Sequence, residues 1–197
     1  MKTPEIHIEE LKKDPEFLAN IARLEKECKE EESIAKGYQL LDAQLIIEAP
    51  EDDINEIFTF IVNHAFDRLA QKLADAKSFD MNDSEDLATA RAIYEHAIQR
   101  YSENDQKGAK EIFLILNYTI DHAELKDAMM VHAAAVMAGH TFEHFIDNLV
   151  DVTNVNEHDP LAFFIQTFSQ PTDILLTMFA KEVKEGKLAL QKFEESQ

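Results

Sequence analysis

NYTIDHAELKDAMMVHAAAVMAGHTFEHFIDNLVD, residues 117–151, decides the fold. Its middle, AMMVHAAAVMAG (residues 128–139), carries no charged side chain and reads as a helix buried on most sides. Met129, Met130 and Met137 fit it as adaptable packing residues. His132 in that setting is expected to be a core histidine with its ring nitrogens hydrogen-bonded. Asp121-His-Ala-Glu124 has the form of a capping box and predicts a helix starting at His122. Gly139 is expected to stop or bend that helix, and Thr141 to cap the chain again beyond it. Whether residues 106–151 make one kinked helix or two is left open by the pattern.

The rest of the chain agrees with a helical reading. Four glycines and five prolines in 197 residues are too few for the many turns of an all-β fold. Asp14-Pro15 is a helix start, with Asp as N-cap and Pro at the first helical position. Phe17, Ile21, Leu24 and Cys28 make one stripe behind it, and Ala35, Tyr38 and Leu45 resume the stripe after Glu30, Glu31 and Glu32. Residues 51–77 predict a second helix, with Glu51, Asp52 and Asp53 in its first turn. Residues 84–102 predict a third, capped by Asp83 or Ser84. A fourth begins near Gln106. LAFFIQTF (residues 161–168) predicts a short buried helix, and Pro171 restarts the chain. The sum is an all-α, antiparallel helical bundle of about six or seven helices. One domain spans residues 1–197, with residues 15–49 as a candidate protruding arm.

A net charge of −20 repels phosphate backbones and anionic lipid, so neither nucleic acid nor a membrane surface is an expected partner. It favours a basic or helical protein partner, and self-association into a homo-oligomer is also expected through the first helix or the histidine helix. Cys28 is the single cysteine and forms no intramolecular disulfide, which suits a reducing compartment. MKTPEIHIEELKK at the N-terminus has no apolar core of a secretory signal, and the expected location is cytoplasmic.

Site chemistry concentrates in HTFEHFID. His140, His144, Asp147 and Asp151 fall within about a 60° arc of one helix face. Two imidazoles one turn apart and a carboxylate beyond them are donors suited to Zn, Fe or Mn, with His122, Glu143 or Asp151 completing or orienting the set. Phe142, Phe145, Ile146 and Leu149 take the other side as the core stripe, so the competing expectation is a solvated polar helix face. HTFEH spells the HxxEH of inverted zinc peptidases over five residues, without a motif for a third ligand, and no family is assigned. His7 in the N-terminal lead-in and His158 in a polar loop carry no ligand pattern. No phosphate-binding glycine loop or nucleophile elbow is present in the sequence. The function expected is protein–protein binding or regulation without intrinsic catalysis, and the alternative is a metal-binding bundle of hydrolytic or redox chemistry.

Overall fold

Ten helices carry the described residues of the computed structural model, which are residues 8–153 and 159–195. They are α1 (Ile8–Leu11), α2 (Pro15–Glu31), α3 (Ile34–Ile46), α4 (Glu51–Ala74), α5 (Ser84–Ser102), α6 (Gln106–Thr119), α7 (Ala123–Met137), α8 (Phe142–Leu149), α9 (Thr172–Met178) and α10 (Ala180–Glu194). No strand occurs among these residues; two isolated bridges, Phe79 with Ile120 and Val150 with Phe168, are the β pairings seen. The all-α expectation holds, but the bundle of about six or seven helices is corrected to ten. The readings of His7 and His158 lie outside the described residues. No helix among the described residues is long and apolar enough to cross a membrane.

The extra helices come from breaks whose causes are local. Glu32 takes a left-handed conformation (φ 50°) and ends α2, and the Ser33 hydroxyl caps α3 through the Lys36 amide. Two helices therefore stand where one was expected over residues 15–49. Between α6 and α7 the chain is held extended. The Phe79 amide donates to the Thr119 carbonyl at 2.7 Å, and the Asp121 amide donates to the Phe79 carbonyl at 2.9 Å. That bridge engages Asp121, so the α7 cap falls one residue later, on His122. Gly139 (φ +83°) turns the chain after α7, and the Thr141 hydroxyl caps α8 as expected. Residues 106–151 thus form three helices. LAFFIQTF is not a helix. The Ser169 amide donates to the Leu149 carbonyl and the Asp151 amide to the Thr167 carbonyl, so this backbone is spent on the segment after α8.

The chain divides into two compact units, residues 1–68 and residues 69–197. In the first, α2 packs on α3. Leu24, Cys28, Ile34, Tyr38, Leu40, Ile57, Ile61 and Ala65 form its core. Gly37 lets α3 and α4 approach: a Cβ there would lie 2.9 Å from Ile61 Cγ1. In the second unit α7 packs on α6, α9 and α10, and α5 packs on α6 and α8. Every residue from Ala128 to Val136 is buried, which is why that stretch of α7 shows no polar face in the sequence. Its alanines keep the neighbouring helices close.

Candidate functional site

The predicted metal face assembles in part. Thr141 starts α8, so His144 sits in its first turn and His140 just before it. Their rings lie 4.5 Å apart, centroid to centroid, and are nearly parallel at 5°. Phe179 meets His140 edge-on at 5.6 Å. Burial, followed by the neighbouring His144, holds His140 below its usual pKa. The Asn148 side-chain amide donates to the His144 carbonyl at 3.1 Å and approaches His144 Nδ1 at 3.3 Å. Asp147 is exposed on the same helix. Asp151 lies beyond the helix end, accepting from the Thr153 amide (2.9 Å) and hydroxyl (2.6 Å). His122 caps α7, its Nδ1 accepting from the Leu125 amide at 3.3 Å. Among the described residues no group of three or more His, Cys, Asp or Glu side chains is placed to hold a metal ion. Parallel imidazoles also direct their in-plane lone pairs side by side, so one ion chelated by both requires the rings to rotate.

His132 is the core histidine its sequence setting implies. Its Nδ1 lies 2.8 Å from the Ala128 carbonyl, which accepts only if Nδ1 carries the proton. Nε2 is then an acceptor for the Tyr94 hydroxyl at 3.1 Å, and Tyr94 Oη in turn accepts from the Ile165 amide at 3.0 Å. Every polar atom of the thread is satisfied, and it joins α5, α7 and the segment before α9. Phe113, Phe145 and Phe168 surround the imidazole. Burial drives the His132 pKa down to about 4 and raises that of Tyr94. Tyr101, donating to the His140 carbonyl at 2.9 Å, is pushed up to about 12 by burial. These shifts keep the rings of His132 and Tyr94 neutral near pH 7.

A groove of about 690 Å³ opens in the first unit. Ile21 from α2, Leu40 from α3 and Ile57 and Phe60 from α4 give it an apolar floor. The Phe60 and His64 rings lie 4.1 Å apart, centroid to centroid, tilted by 46°. Glu25, Glu48, Asp53 and Glu56 stand along it, against Lys12 and Lys29. Lys12 pairs with Glu48 at 3.2 Å, and Lys29 with Glu25 at 3.0 Å and Glu56 at 3.1 Å. Gln44 also lines the groove, and its Oε1 is buried with no hydrogen-bond partner among the described residues. Sequence reasoning missed this site. A local signal was Gln44, which with Asp42 is polar inside the apolar run LLDAQLII.

Comparison with known proteins finds no matching protein family, no matching curated protein and no matching solved structure.

Proposed function

We propose that the chain acts by binding, without catalysis of its own, and that the first-unit groove receives a basic amphipathic helix of a partner protein. The observation that carries this reading is the pairing of an apolar floor with a rim of four carboxylates and two lysines. A helix lays its apolar face in such a groove, and lysines or arginines along its edges meet the rim. The lone cysteine fits a cytoplasmic setting. Gln44 Oε1 supports the reading independently, because a buried acceptor without a partner is costly until a ligand donor reaches it.

The test is binding of a synthetic Lys/Leu amphipathic peptide, followed by fluorescence anisotropy, with a Glu/Leu peptide of the same pattern as control. The wild type binds the basic peptide in preference, and Glu25→Lys with Glu56→Lys weakens it about tenfold or more. Equal affinity for both peptides, or unchanged affinity in the folded variant, would overturn the reading.

A second reading places a divalent Zn, Fe or Mn ion on His140 and His144, with Asp147 as the carboxylate. The 4.5 Å ring separation is the observation in its favour. Calorimetric titration with Zn²⁺ tests it: stoichiometric binding lost in His140→Ala/His144→Ala supports the site, and equal heats in both proteins dismiss it. Loss of self-association in that double variant would mean instead that the pair bridges two copies of the chain.

A further inference from the structure

The second unit carries a groove of opposite character. It runs between α9 and α10, with a volume of about 510 Å³. Leu176 from α9 and Val183 and Leu188 from α10 supply apolar wall, and Lys184, Lys187 and Gln191 supply the polar atoms. No carboxylate lines it. That is unexpected in a chain with 39 acidic and 19 basic residues, where a random stretch of wall would hold more acids than bases.

The placement follows from helical spacing. Ala180, Val183, Lys184, Lys187, Leu188 and Gln191 recur at the three- and four-residue steps of one helix face. Glu182 and Glu185 turn away from that face. Leu188 is 49% exposed, so the stripe is not consumed by the core of the unit. Some cations of the chain are satisfied locally, such as Lys29 by two glutamates and Lys72 by Asp86. Lys184 and Lys187 take no ion pair among the described residues. Lys126, another lysine with no such pair, lines the adjoining groove of α7 with Lys187 and Asp127.

We propose that this groove is a second docking site, taking an acidic amphipathic helix of a protein partner. The apolar wall accepts the apolar face of a helix, and the lysines meet carboxylates at its edges. A short helix bearing a few carboxylates feels the local lysines, because exposed charges more than about 8 Å away are screened at physiological salt. An extended polyanion, such as an anionic bilayer or a nucleic acid, meets the −20 field of the whole chain instead. The proposal rests on the lining of the α9/α10 groove alone and is independent of the first-unit site.

The experiment uses the full chain, the Glu/Leu amphipathic peptide and vesicles of phosphatidylglycerol. The peptide binds saturably, and Lys184→Glu with Lys187→Glu weakens it about tenfold or more. Leu188→Ser weakens it as well. All these side chains are exposed, so the variants keep the wild-type circular dichroism. Absence of saturable peptide binding by the folded wild type, or equal binding by the lysine-reversal variant, overturns the proposal. Binding to vesicles in place of peptide overturns it too, and reassigns the groove to lipid.

Discussion

The first-unit groove and the α9/α10 groove share an apolar floor and differ in the sign of their walls. One presents four carboxylates beside two lysines, and the other two lysines and no carboxylate. The units also spend their aromatic residues differently. Phe60 in the first unit is half-buried on the groove floor. Phe145 in the second is fully buried and touches Tyr101, His132 and Phe168. The difference teaches that net charge is a poor guide to a local surface. It also separates two economies of burial, one keeping apolar area available and one enclosing it.

Five variants break or sharpen that contrast. The largest effect belongs to Phe145→Ala, which leaves a cavity at a fully buried site; urea denaturation is expected to show a loss of about 3–5 kcal/mol. Phe60→Ala, at its half-buried position, is expected to cost about 1 kcal/mol or less while weakening the basic peptide. Equal stability losses would erase the distinction between the two units.

Acid comes next. His132 titrates near 4 when folded and near 6.5 when unfolded, so the unfolded chain binds more protons between those values. The contribution of neutral His132 is fully present above pH 6.5 and is lost as pH falls toward about 4, a total of about 3 kcal/mol. His132→Gln is expected to be less stable at pH 7 and to flatten this part of the profile. A wild-type profile already flat between pH 7 and 4 would show that the ring is not held neutral.

Gly37→Ala probes the close approach of α3 and α4. Its methyl would stand 2.9 Å from Ile61 Cγ1, and the forced shift is expected to cost about 1–3 kcal/mol by thermal unfolding. An unchanged midpoint would mean that Ile61 yields freely and that the first unit is loosely packed. The smallest effect is that of His144→Ala, an exposed position, within about 0.5 kcal/mol by the same measurement.

Much of the helical pattern was legible because its signals are local. Asp14 before Pro15, Asp83 before α5 and Thr141 before α8 cap where their side chains imply, each accepting from amides two or three residues on. The breaks were not legible where distant atoms decide them. Asp121 has the right neighbours for a cap, but Phe79, far away in the chain, takes its amide. The FFIQTF run has helical apolarity, but Tyr94 Oη claims the Ile165 amide and Leu149 the Ser169 amide. The histidine pair was legible because one helical turn sets its spacing. The first-unit groove was not, because its floor is gathered from α2, α3 and α4 and no single stretch of sequence contains it.

Cys28 ends up with no exposed surface, its Sγ 3.5 Å from the Ser33 carbonyl, inside the first unit. The second unit contains no cysteine. A thiol reagent added to the native protein therefore reacts only in the moments when the first unit opens, at a rate set by how often it does so. One atom thus serves as a clock for the first unit. A ligand seated in the acidic groove would slow it, and one bound between α9 and α10 has no direct hold on it.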